Sequence, residues 1–241
     1  MARTARAAAG VIAGSRFVAE WARQHNAHTE IVWTGSVPSG EGRRPQAERR
    51  ALLAWAISKA SGYDAEFDFV TDMLLRTARR APAPLLFRQY GWDLPDDHPN
   101  IRKLRAAGVD VAFVRGMLPY PAFLRSLEDV AVGLAPLSPD APYSQGKSFG
   151  KILGYLNAKV PILCSDAADH GRFFRPETGL VSNDPEAWAD RAAWWLADPA
   201  ERQRVADAAY GDFGERLSVA AAAERTGRFL ERLLDGQEMH R

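Results

Sequence analysis

Short runs rich in β-forming residues alternate with longer stretches of helical period along this chain, and few architectures accommodate that alternation. Strand, helix and strand in repeated succession is the pattern of parallel strands joined by crossover helices. The expected fold is therefore α/β, with a parallel sheet flanked by helices. Strands are expected at 11–13, 31–34, 85–88, 111–115, 130–135 and 160–165, with a weaker one at 179–181. Each is short enough to be a buried parallel strand. Helical composition fills the intervals 16–25, 48–60, 67–80, 101–107, 121–127, 148–158 and 185–197, and two more helices are expected at 199–212 and 219–234. The loop 36–46, SVPSGEGRRPQ, carries Gly, Pro and Ser at the density of a flexible connection.

A chain of 241 residues buries one substantial core and has no room for two complete large domains. With 46% hydrophobic and 25% charged residues it reads as an ordinary globular protein, without an apolar run near the length a bilayer requires. Its formal charge of +1 provides no global field for nucleic acid or an anionic membrane, so any anion site has to be local. Cys164 is the only cysteine, which rules out an internal disulfide and a cysteine zinc cluster and fits a reducing, cytosolic setting. The opening MARTARAAAGVIAGSRF has arginines before a short apolar stretch, but Gly14, Ser15 and Arg16 interrupt it before a signal-peptide core forms.

The densest chemical signal lies at 147–161, KSFGKILGYLNAKVP, after an expected strand and the loop PLSPDAPYSQG. Ser148 stands where a helix N-cap belongs. Phe149, Ile152, Leu153 and Leu156 recur at i, i+3, i+4 and i+7 and form one apolar face, whereas Lys147, Lys151 and Gly154 fall on another. Of the five lysines in the chain, three lie in this window. Cations in a first helical turn oppose the helix dipole at a cost of about 0.3 to 1 kcal/mol, so local stability does not account for Lys147 and Lys151. A bound anion would. Free N–H groups at a helix start, a serine hydroxyl and two ammonium groups make a pyrophosphate receptor, and Gly146 and Gly150 would let the backbone come close. The competing reading is a solvated helix start whose lysines pair with carboxylates such as Asp140.

Three segments in order carry a resemblance: VAFVRGMLPYPAFLRSLEDVAVGLAPL (111–137), GKSFGKILGYLNAKVPILCSD (146–166) and ETGLVSNDPEAWADRAAWWLADPAERQRVADAA (177–209). Together they resemble the donor-binding, C-terminal domain of a GT-B glycosyltransferase, most like the large retaining family numbered four. The resemblance implies a Rossmann-like fold and three parts: 1–30 as the end of an N-terminal domain and linker, 31–216 as the nucleotide-sugar domain, and 217–241 as a C-terminal helix and tail. It assigns Lys147, Ser148, Phe149, Gly150 and Lys151 to the donor diphosphate, with Lys147 and Lys151 stabilising it as it leaves, and counts Gly154 and Tyr155 in the donor site. Base contacts fall on Arg115, Gly116, Met117 and Leu118, up to Pro119. Sugar or phosphate contacts fall on the loop after the domain's first strand, read here as Gly35 and Ser36. Arg43 or Arg44 is a candidate for further positive charge near the diphosphate. The implied partners are a nucleotide diphosphate sugar and a missing acceptor domain or partner chain, with no nucleic acid and no cofactor.

The departures from the family pattern concern the ribose. Many members carry two glutamates separated by seven residues, the second of which binds the donor ribose, and here the two positions are Gly146 and Gly154, followed by Tyr155. Losing a charge-assisted hydrogen bond of about 1.5 to 3 kcal/mol weakens donor binding by roughly tenfold to a hundredfold. Two other readings follow: a non-catalytic binding or interaction module that keeps the fold, and, with less support, a nucleotide-sugar epimerase.

Other candidates carry less. His170, after an expected strand and beside Asp166 and Asp169, is expected on a surface loop. His25, His28, His98 and His240 make no metal-ligand spacing, so no protein-bound metal is expected. Trp188 and Trp195, seven residues apart on one helix face, are expected in the core.

Overall fold

The computed structural model describes residues 1–39 and 43–238, and side chains through 235. In chain order the elements are α1 (Ala2–Ala7), β1 (Val11–Ala13), α2 (Arg16–Arg23), β2 (Thr29–Ile31), a single 3-10 turn (Gln46–Glu48), β3 (Leu52–Trp55), α3 (Asp64–Ala78), β4 (Leu86–Tyr90) and α4 (Pro99–Ala106). They continue with β5 (Asp110–Val114), α5 (Tyr120–Ser126), β6 (Val132–Ala135), α6 (Pro142–Gln145), α7 (Gly150–Asn157), β7 (Ile162–Cys164) and α8 (His170–Phe173). The chain ends with β8 (Leu180–Val181), α9 (Pro185–Ala197), α10 (Pro199–Arg216) and α11 (Val219–Glu238). His240 and residues 40–42 of the expected flexible loop lie outside the described residues.

Six strands form one sheet in the order β5-β4-β3-β6-β7-β8, every neighbouring pair parallel. Helices cover both faces, so the fold is Rossmann-like α/β, as expected. Chain order runs outward from β3 in one direction and from β6 in the other. The connections on the two sides therefore diverge, and they leave a crevice beyond the carboxyl ends of these two strands.

β3 is the largest difference from the sequence reading, which placed a helix at 48–60. ALLAWA consists of good helix formers and shows no alternation. As a central strand β3 is buried on both faces, with Leu53 and Trp55 in one core and Leu52 and Ala54 in the other, so there is no polar face to alternate with. Tertiary packing overrides propensity. The buried Arg49 secures the strand's start, donating to the carbonyls of Val130 (2.9 Å) and Ala158 (3.0 Å). At its other end the Tyr155 hydroxyl donates to the Ala54 carbonyl (2.9 Å) and accepts from the Ala56 amide (2.7 Å). Tyr155 crosses β6 at Gly133, where a Cβ would stand 2.7 Å from its ring.

The strand expected at 31–34 is shifted to β2, and it pairs with β1 in a separate two-stranded parallel sheet. This small unit packs against α11: a Cβ on Gly10 would lie 2.7 Å from the Phe229 ring, and Arg232 pairs with Glu30 at 2.6 Å. It also sits on the loop before α7. Ser15 Oγ donates to the Gly146 carbonyl (3.2 Å), and the Thr34 amide donates to Ser148 Oγ (3.1 Å). Asp169, buried, accepts from the Arg16 amide (3.0 Å), Arg16 Nε (2.8 Å) and Trp33 Nε1 (2.7 Å). Among the described residues, no helix is long and apolar enough to cross a membrane.

Candidate functional site

The crevice at the strand reversal opens into a cavity of about 470 Å³. Its walls come from the carboxyl ends of β3 (Ala56, Ile57, Ser58), β4 (Tyr90, Gly91) and β5 (Gly116, Met117, Leu118), from α5 (Tyr120, Phe123) and from the start of α7 (Gly150, Lys151). The floor depends on close backbone contact. Gly91 has φ +68°, and a Cβ there would stand 2.0 Å from the Ile57 carbonyl oxygen, so only glycine lets the two loops meet.

Two ammonium groups occupy the α7 side. Lys151 Nζ is buried with no hydrogen-bond partner among the described residues and lies 4.4 Å from the centroid of the Tyr63 ring. Lys147 Nζ is sandwiched between Tyr63 (4.7 Å) and Tyr143 (4.6 Å) and is 3.4 Å from Tyr63 Oη. Burial, followed by repulsion from Lys147, lowers the Lys151 pKa to about 8 against the opposing pull of Glu66. Burial also lowers that of Lys147, and it raises that of the Tyr63 hydroxyl with a further contribution from Glu66. The nearby carboxylate, Glu66 of α3, is turned to another partner, accepting from the Ser138 amide at 3.0 Å. Among the described residues, both cations thus rest on aromatic faces without an ion pair. The backbone adds donors, since the amides of residues 148–151 have no hydrogen-bond partner among the described residues.

Of the residues singled out from sequence, Gly116, Met117, Leu118, Gly150 and Lys151 come together on the cavity wall, and Lys147 stands beside it. The apolar face expected of α7 is buried as Phe149, Ile152, Leu153 and Leu156. Ser148 is not the N-cap. The helix starts at Gly150, Phe149 takes the cap position without a side-chain bond, and the Ser148 hydroxyl is committed to the Thr34 amide. The Phe149 and Tyr155 side chains lie in the core, so neither faces the cavity. Gly154 is covered by Phe123. Arg115 turns outward to an ion pair with Asp96.

Gly35 and Ser36 are off the cavity wall. Because the large sheet begins at β3, the loop after its first strand is the one carrying Ile57 and Ser58, whereas Gly35 and Ser36 pack against Ser218. Arg43 is displaced for the same reason, reaching Asn157 at the opposite end of α7 (3.3 Å). Arg44 lies near the start of β3, where its carbonyl accepts from Arg49 Nε (3.1 Å).

His170 is buried rather than on a surface loop, with Nδ1 2.9 Å from the Ser165 carbonyl, and burial lowers its pKa. Trp188 and Trp195 are in the core. Among the described residues, no group of three His, Cys, Asp or Glu side chains is placed to hold a metal ion. Sequence reasoning missed Ile57, Ser58, Tyr63, Tyr90, Tyr120 and Phe123. The available signal was the turn SKASG following ALLAWA, which ends a strand once that run is read as one.

The fold is a Rossmann-like α/β unit of the kind seen in GT-B glycosyltransferase structures. Among solved structures, the chain is similar to a TarM variant from S. aureus in complex with fondaparinux, α-GlcNAc-glycerol and UDP (TM-score 0.71, 12% identity over 95% of this chain). It is similar to Anabaena Alr3699/HepE in complex with UDP and glucose (TM-score 0.70, 14% identity, 96% of this chain). It is also similar to sucrose-phosphate synthase from Thermosynechococcus elongatus (TM-score 0.66, 16% identity, 98% of this chain). The chain spans 45%, 66% and 62% of the lengths of those three chains. No protein-family profile matches the sequence, and no curated protein matches it.

Proposed function

We propose that this chain is the donor-binding half of a glycosyltransferase of the family-four type, which takes a nucleotide diphosphate sugar and transfers the sugar to an acceptor held by another domain or chain. One observation carries the reading. Lys151 presents a buried, unpartnered ammonium at the start of α7, beside Lys147 and at the mouth of the crevice. A desolvated cation without a counter-ion is costly unless it meets an anion in the working state. A diphosphate set across residues 147–151 would accept hydrogen bonds from the free amides and draw both ammonium groups off the Tyr63 ring. As the bond from the sugar's anomeric carbon to the diphosphate oxygen breaks, negative charge grows on that oxygen. Lys147 and Lys151 stabilise it there. Gly116, Met117 and Leu118 take the nucleoside.

In this reading residues 1–30 close a preceding acceptor domain, although β2 and α11 share their small unit, and the donor-side sheet proper begins at Leu52. A cytosolic place in glycan assembly belongs to the same reading, supported by a single, buried, unpaired cysteine. The absence of carboxylates at Gly146 and Gly154 favours one alternative, a module that binds nucleotide without turnover.

Isothermal titration of the full chain with UDP, ADP and GDP tests the reading. Saturable binding is expected, weakened about tenfold or more by Lys147→Ala and by Lys151→Ala. Absence of binding to all three, or binding unaffected by both substitutions, would sink the donor-site assignment.

A further inference from the structure

Tyr63 reaches the crevice from β3 and α3, whereas the two lysines come from α7 and the loop before it. It closes the loop after β3, where the Ala60 amide donates to the Gly91 carbonyl (3.0 Å) and the Ser61 amide to Asp93 (2.8 Å). Its backbone then begins α3: the Tyr63 amide donates to the Ala60 carbonyl (3.3 Å), and the Phe67 amide donates to the Tyr63 carbonyl (2.8 Å). This path brings the side chain to the start of α7, where one ring meets the ammonium groups of both Lys147 and Lys151.

The hydrogen bonds of the Tyr63 hydroxyl leave one capacity unused. A phenol can accept through its oxygen and can also donate one proton. Lys147 Nζ, 3.4 Å away, is an ammonium that can only donate, so Tyr63 Oη accepts in that contact. Tyr143 bonds the same hydroxyl and pulls its pKa down, as a donor does. Glu66, one turn further along α3, is turned to the Ser138 amide instead. Among the described residues, no group accepts the Tyr63 proton. Burial, followed by Glu66, raises the pKa of the phenol, so it keeps that proton at neutral pH.

We infer that Tyr63 is a binding residue for the diphosphate: its hydroxyl donates a hydrogen bond to an oxygen of the group that Lys147 and Lys151 receive, and the proton stays on the phenol. The inference rests on the nucleotide reading above. The ring carries the ammonium groups until an anion draws them off, and the hydroxyl beside them then meets the same anion. The diphosphate is thereby held from two elements, α3 and α7, and the helix start supplies only part of its receptor.

Tyr63→Phe tests this, because it removes one oxygen from a partly exposed side chain and keeps the ring against both ammonium groups. The full chain is titrated calorimetrically with UDP, ADP and GDP, and the tightest of the three is carried to the variants, whose folding is checked by circular dichroism. Tyr63→Phe is expected to weaken binding by about tenfold or more, the effect of losing a hydrogen bond to a charged group. Affinity within about twofold of the parent overturns the inference and leaves the nucleotide reading intact, whereas failure of all three nucleotides to bind the parent removes both. A second arm separates contact with the anion from support of Lys147. In a Lys147→Ala background Tyr63→Phe should still cost about tenfold, because the hydroxyl bonds the anion directly. If the loss disappears there, Tyr63 acts only through Lys147 and the inference falls.

Discussion

Replacing Lys151 by methionine is predicted to move stability and ligand binding in opposite directions. The ammonium is buried, makes no hydrogen bond and has its pKa lowered from 10.5 to about 8, chiefly by burial. A fall of that size means that folding disfavours the charged form by about 3 kcal/mol. The contact with the Tyr63 ring offsets about 1 kcal/mol of this. Methionine has similar length and no charge, so the variant should be more stable by about 1 to 3 kcal/mol at neutral pH. The pH dependence follows in sign. The folded pKa lies below the unfolded one, so between about pH 8 and 10.5 the unfolded chain binds more protons and the parent gains stability as pH rises. Below about pH 8 the penalty is complete and the variant's advantage is greatest; it shrinks as pH approaches 10.5. Urea unfolding of both proteins at about pH 7 and about pH 9.5 measures this, and nucleotide titration at the lower pH should show binding weakened by about tenfold or more. A methionine variant less stable than the parent at neutral pH, or an advantage unchanged at the higher pH, would refute the argument that Lys151 is a strained, desolvated cation.

Tyr155→Phe should destabilise the protein by about 1 to 3 kcal/mol, because the Ala56 amide loses its acceptor and the buried Ala54 carbonyl its donor. The same change should loosen the Ile57 and Ser58 loop, seen as faster amide exchange there; unchanged exchange would deny Tyr155 its part in holding the end of β3. Asp169→Ala removes the common acceptor of Arg16 and Trp33 and should cost about 2 to 4 kcal/mol. Limited proteolysis should then cut earlier within the segment containing β1, α2 and β2, and an unchanged digestion pattern would show that α11 holds that unit without help from Asp169.

How much could be read beforehand differs from element to element. β7 and α7 were legible because each satisfies a local rule: VPILCS is a short apolar run, and the spacing of Phe149, Ile152, Leu153 and Leu156 matches one helix face. β3 was not, since burial on both faces erases the alternation that marks a strand and leaves a run dominated by leucine and alanine, whose local preference is helical. That one element displaced the site residues that depended on it. With the first strand of the large sheet placed at 31–34 instead of Leu52–Trp55, the crevice loop was assigned to Gly35 and Ser36 when its wall is built by Ile57 and Ser58.

By itself the sequence determined the parallel α/β class, written in the alternation of short apolar runs and helical periods along the chain, and the apolar face of α7 with Lys147 and Lys151 near that helix's start, written in spacing over about ten residues. Only the tertiary structure decided which strand is central, that Lys151 is buried without a partner, and that Phe123, thirty-one residues before Gly154, lies over that glycine. These are contacts between distant segments. Pairing order and packing fix them, and no local period in the chain records either.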